Sequence, residues 1–180
     1  MLKKIIVSLL AIGIILVPNS ANASSHAKSL QNLGMSEIMF AQMMIPHHEQ
    51  AISMSETALK KSRNQEILKL SRQIKSLQSS ETSQLTYWLK ATNSSMAMDH
   101  DMKMSGMLTV KELASLKQLT GTQFDRTFLQ LMIKHHQGAL EMLDLISGSR
   151  NAEAKALAKA INSAQSKEIT SMKLLLKKLK

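Results

Sequence analysis

Phe40-Ala-Gln-Met43-Met44-Ile-Pro46-His47-His48-Glu-Gln-Ala51-Ile-Ser-Met54 returns 88 residues later as Phe128-Leu-Gln-Leu-Met132-Ile-Lys134-His135-His136-Gln-Gly-Ala139-Leu-Glu-Met142. Four of the six histidines stand in these two matching frames. In each frame a methionine precedes the second histidine by four residues and another follows the first by seven. At about 100° per residue such spacings return to one side of an α-helix. His47, Met43 and Met54 then share one strip, and Met44, His48 and Ala51 the strip beside it. In the second copy His135 falls with Met142, and Met132 with His136. Ala51 and Ala139 read as close-packing positions.

Outward from the first copy, period-3.6 apolar residues predict a helix over about 36–62. A second runs from an Asn64 cap to Ala91, with Ile67, Leu70, Ile74, Leu77, Leu85 and Trp88 in one stripe. A third covers about 122–146 and stops at Ser147-Gly148. Asn151 caps a fourth, whose stripe includes Leu157, Ile161, Met172, Leu175 and Leu179. The duplication extends into the second and fourth helices, where Ile74, Gln78, Glu81 and Trp88 reappear as Ile161, Gln165, Glu168 and Leu175 at a spacing of 87. Each half is therefore an amphipathic hairpin, about 36–91 and about 122–179. Two such hairpins bury their stripes most simply against each other, as an all-α four-helix bundle. The long connection, residues 92–121, holds a short helix opened by the capping box Thr109 to Glu112. Pro46 removes a backbone hydrogen bond inside the first helix and is expected to kink it. Lys134 at the matching position means the motif does not require a kink.

Neutral imidazole offers a nitrogen lone pair above its ordinary pKa of about 6.5, and a thioether is uncharged at any relevant pH. Together they suit Cu(I), Ag(I) and, through histidine, Cu(II). Di-iron bundles instead place Glu-x-x-His on their helices. Here methionine occupies the glutamate position, in Met44-x-x-His47 and Met132-x-x-His135, so a hard, oxygen-rich di-iron centre is poorly supported. The expected ligands are Met43, Met44, His47, His48 and Met54 in the first copy, with Met132, His135, His136 and Met142 in the second. Glu81 and Glu168 lie on otherwise apolar stripes, where each either orients a histidine from behind or is held locally. The connection carries a second cluster, Met96-Ala-Met98-Asp-His100-Asp-Met102-Lys-Met104-Ser-Gly-Met107. Thioethers exposed on a polar loop gain no packing, so Met98, His100, Met102, Met104 and Met107 read as a further, adaptable site. The weaker alternative is hydrophobic anchoring of the loop. His26 stands alone near the start and is not counted as a ligand.

Lys3 and Lys4, the 13-residue apolar run Ile5 to Val17, and Ala21-Asn22-Ala23 before Ser24 read as an export signal cleaved near Ala23. A spanning helix takes about 20 residues, so a retained anchor fits less well, and no later segment is apolar enough to span. The remaining 157 residues suit one domain, 24–180. Absence of cysteine excludes disulfides and thiolate sites, leaving methionine as the soft ligand. Without Lys3 and Lys4 the 21 basic residues face 13 acidic ones, about +8, a surplus that favours anionic envelope surfaces. Nucleic acid is not expected as a partner, given export and so few aromatics for stacking on bases.

At Met44-Ile45-Pro46-His47-His48 with the following Ala51 and Met54, the chain resembles the ferritin-like family called domain of unknown function 305. Met132-Ile133-Lys134-His135-His136 departs from its motif only at Lys134, and Phe124-Asp125 before the second copy also fits. The resemblance covers most of the chain beyond the export segment. It implies a ferritin-like bundle, and a particular similarity to a periplasmic copper-binding protein implies that the bundle binds copper and contributes to copper tolerance. Met98 to His100, with Met104 and Met107 behind them, also resembles methionine-rich segments of bacterial copper and silver resistance proteins.

The resulting expectation is a periplasmic, or else extracellular, copper-binding protein with no chemistry of its own. It would take up Cu(I) and Cu(II), with silver as a further cargo, and sequester the ion or shuttle it to another copper carrier or efflux component. No Ser-His-Asp set, phosphate-cradling glycine loop or paired catalytic carboxylates argue for an enzyme. Two alternatives stand beside it: a cuprous oxidase that detoxifies Cu(I), and a basic helical envelope adaptor with incidental metal affinity.

Overall fold

A computed structural model describes residues 32–97 and 104–179. The expected export segment, His26, Met98, His100 and Met102 lie outside the described residues. Six helices follow in order: α1 Met35–Lys61, α2 Gln65–Ala91, α3 Val110–Gln118, α4 Gly121–Met142, α5 Asp144–Ser147 and α6 Ala152–Lys178. No strand occurs among the described residues.

Local chemistry sets the helix starts. Asn64 Oδ1 accepts from the amides of Glu66 and Ile67 at 2.9 and 3.4 Å, and Asn151 Oδ1 from those of Glu153 and Ala154 at 2.9 and 3.1 Å. Each cap is itself braced by a serine two residues earlier: Ser62 Oγ accepts from Asn64 N at 3.1 Å, and Ser149 Oγ from Asn151 N at 2.9 Å. The hairpin turn Ser-Arg-Asn is thus duplicated along with the histidines. At the start of α1, Glu37 accepts from the Gly34 amide at 2.9 Å and from the Ser149 hydroxyl, tying that end to the turn before α6.

These ties fix the topology. Start-to-end contacts (Glu37 to Ser149, Arg126 to the Leu179 carbonyl, Lys178 to Glu66) make α1 antiparallel to α4 and α2 antiparallel to α6. With each hairpin antiparallel within itself, the order is up, down, down, up, and the connection must travel the length of the bundle. It does so as a strap along α1. Gln42 donates to the Ser95 and Ala97 carbonyls, His47 to Ser105, Gln50 to Leu108 and Lys61 to Leu119. The last three pairs share one offset of 58 residues, so strap and helix keep step.

The core divides into two apolar clusters. One gathers Phe40, Met44, Leu85, Trp88, Met142 and Ile161; the other gathers Met54, Ile67, Phe124, Phe128, Met132 and Met172. Trp88, Phe40, Phe124 and Phe128 are essentially unexposed, each burial contributing roughly 1.5–3 kcal/mol.

Two details depart from the sequence expectation. Leu77 is exposed, because the buried face of α2 runs through Ile74, Gln78, Glu81, Leu85 and Trp88. Two polar residues hold inward positions, and Leu77 instead lines a groove between α2 and α6 together with Leu70, Ala164, Lys167 and Glu168. The third long helix ends at Met142 rather than Ile146: Leu143 donates to Leu140 three residues back, and one further turn, α5, follows. Pro46 lies inside α1, which is helical on both sides of it. No helix among the described residues is long and apolar enough to cross a membrane.

Candidate functional site

The twin frames meet. Antiparallel packing of α1 on α4 brings His47 and His135 together with ring centroids 3.8 Å apart and an interplanar angle of 36°. His136 stands 6.3 Å from His135. All four rings, His47, His48, His135 and His136, are fully buried. The methionines sort by the same antiparallel logic. Met43, Met44 and Met142 share one apolar cluster, while Met54 and Met132 share the other. Each apolar cluster therefore holds an upstream methionine of one hairpin and a downstream methionine of the other. Ala51 and Ala139 are unexposed, as close-packing positions require.

Partners reach the rings from outside the motif. His136 Nε2 donates to Glu168 Oε2 at 2.7 Å, and His48 Nε2 lies 2.9 Å from Glu81 Oε2, off the line of a good hydrogen bond. His47 Nε2 donates to the Ser105 carbonyl of the strap at 3.1 Å. Nδ1 of all four histidines, and Nε2 of His48 and His135 as well, lack a well-formed hydrogen bond. Leaving buried polar atoms unpaired costs about 1–3 kcal/mol each, so six on four rings is a concentrated expense that packing alone does not explain.

Burial also keeps rings uncharged. Desolvation, followed by the neighbouring His48 ring, lowers the pKa of His47 to about 3, against an opposing hydrogen bond to Ser105. Desolvation, then the rings of His47, His136 and His48, holds His135 well below 6.5. Both present neutral imidazole across the ordinary pH range.

The strap covers this centre at backbone contact. A Cβ on Gly138 would meet Ser105 O at 2.2 Å and Gly106 N at 2.4 Å, and Gly106, at φ +74°, faces the His135 and Lys134 carbonyls. Gln50, the residue matching Gly138 in the first copy, grips the strap instead: its amide donates to Leu108 O at 3.0 Å and accepts from Leu108 N at 2.8 Å. Lys134, which replaces the proline of the first copy, ion-pairs at 2.8 Å with Glu112 in the α3 capping box. That pairing, ahead of the Thr109 hydrogen bonds, lowers Glu112 to about 2. Met104 packs against the cluster holding Met44 and Met142, and Met107 is half-buried. Met104 thus anchors the strap, as the weaker sequence alternative had it, while Met96 is exposed.

Sequence reasoning left two features without a role. Ser105 carried no signal, because its main-chain oxygen does the work. Gln78 and Gln165 were visible only as repeat positions, yet both are buried with amide groups unpartnered, one turn before Glu81 and Glu168. Asp125 is also buried with an unpaired oxygen. Among the described residues, no three His, Asp or Glu side chains stand together as a formed metal cage.

Fold and site together define a two-hairpin helical bundle with four buried histidines at its centre and buried methionines in both apolar clusters of its core. The chain belongs to the family described as domain of unknown function 305, whose model matches residues 37–176. No curated protein matches it. Among solved structures, a fragment of a family member from Deinococcus radiodurans is 31% identical, with a TM-score of 0.75 over 81% of this chain and 98% of that one. A secreted family protein from Streptomyces coelicolor is 28% identical, with a TM-score of 0.76 over 79% and 93%. CopM in its Cu(I)-bound form is 31% identical, with a TM-score of 0.66 over 79% and 96%; CopM has also been solved with Ag and with Cu(II).

Proposed function

We propose that this protein is an exported copper-binding protein that captures Cu(I), and secondarily Cu(II) or Ag(I), and buffers the ion or hands it to another carrier or efflux component without catalysis. One observation carries the reading: four fully buried imidazoles with unpartnered ring nitrogens share the core with buried methionines that belong to both hairpins. Similarity to CopM, solved with copper and silver, supports it. The stacked rings are no ready cage, which suits a soft monovalent ion satisfied by few nitrogen and thioether ligands after small ring rotations. The further thioethers of the connection, Met98, Met102, Met104 and Met107, would serve with the His100 imidazole as a shallow capture site.

The test is anaerobic titration of metal-free protein with Cu(I) against a chromophoric chelator. Stoichiometric competition is expected. It should be sharply reduced when His47, His48, His135 and His136 are replaced together with Met44, Met54, Met132 and Met142; unchanged capture defeats the site. Oxygen consumption over many turnovers would point instead to a cuprous oxidase.

A further inference from the structure

An ion bound as proposed above needs ring nitrogens that still carry a lone pair, and the neighbours of each ring decide which nitrogen that is. The Nε2 atoms of His47, His136 and His48 lie 3.1, 2.7 and 2.9 Å from the Ser105 carbonyl, Glu168 Oε2 and Glu81 Oε2. A carbonyl or carboxylate oxygen has no hydrogen to give. Each of these Nε2 atoms is therefore the protonated one; even the poorly aligned His48 contact would otherwise set two lone pairs face to face. Nδ1 of the same three rings is buried and unpartnered.

We infer that the nitrogen these rings leave open to an ion is Nδ1 on His47, His48 and His136, with Ser105, Glu81 and Glu168 as positioning residues that fix the tautomer. Nδ1 is the ring nitrogen next to Cβ, and helical side chains lean over the turn toward their N-terminus. Four residues back from these three histidines stand Met43, Met44 and Met132. Each Nδ1 thus belongs with the thioether of its own preceding turn. His135 differs on both counts: its backbone contact with His47 falls short of a well-formed hydrogen bond, and Leu131 occupies the methionine position. His135 stands outside the set.

Nitrogen-15 spectroscopy of the labelled protein tests this, with Ag(I) alone as the probe. A lone-pair nitrogen resonates well apart from a protonated one, and spin-one-half silver splits the signal of the nitrogen it binds. In metal-free protein His47, His48 and His136 should show protonated Nε2 and bare Nδ1, and Ag(I) should shift and split Nδ1. Bare Nε2 on His47 or His136, or silver splitting at Nε2, overturns the inference. Tautomers as assigned with no silver bound would sink the proposed function alone. Glu168→Leu should mix the tautomers of His136 and weaken Ag(I) binding about 10–100-fold. Glu168→Gln keeps an acceptor oxygen and should keep the tautomer; equal mixing in both variants would count against the positioning role.

Discussion

Charging the His47 ring means placing a cation where no water reaches and a second imidazole lies 3.8 Å away. Its pKa falls from 6.5 to about 3 in the folded protein. Below pH 6.5 the unfolded chain therefore binds the proton that the folded chain refuses. Stability is fully present above pH 6.5 and is lost as pH falls toward 3, by about 1.4 kcal/mol per pH unit for this ring. His135 adds loss in the same direction. Urea midpoints of metal-free protein should drop between pH 7.5 and pH 4.5, and replacing both residues with apolar ones should flatten the profile. Gly138→Ala drives a methyl into strap backbone at 2.2 Å and should destabilise by about 1–3 kcal/mol. Gly148→Ala, with nothing within 4 Å, is the matched control in the same unfolding assay. At this scale the paired histidines of the candidate site were legible, because a doubled His-His pair with methionines at helical spacing stands out from ordinary core filler. Ser105 and Gly138 were not, since one acts through its main chain and the other through the lack of a side chain.

Helices and turns were read well where capping chemistry marks them. Asn64 and Asn151 were both identified as caps, and both accept two amides. Asn64→Ala and Asn151→Ala should each cost about 1 kcal/mol, and nearly additively, because they cap different hairpins; thermal unfolding of the single and double variants checks this. Leu77 was misplaced because an apolar residue was preferred to Gln78 and Glu81 for the buried face, whereas the histidines make that face polar at its centre. The end of α4 was misplaced because periodicity continues through Leu143 while the backbone tightens there. The strap's course could not be read at all. Its register rests on main-chain acceptors, which leave no trace in side-chain pattern.

For the whole molecule, antiparallel pairing of the hairpins turned two distant motifs into one centre; sequence alone left open whether they converge. An ion held between them stabilises the folded chain by mass action, about 2.7 kcal/mol at a hundredfold excess over Kd. Melting of the protein with Ag(I) should therefore move upward, and should not move when the four paired histidines are absent. For an ion bound as proposed, the strap at backbone contact beside the unexposed rings would also set the terms of entry. Such an ion would have to leave its hydration shell behind. Weakly hydrated monovalent ions give that shell up readily, whereas magnesium-like ions hold theirs tightly. Dehydration then discriminates among ions before any ligand does, and Mg2+ in large excess should leave silver uptake untouched.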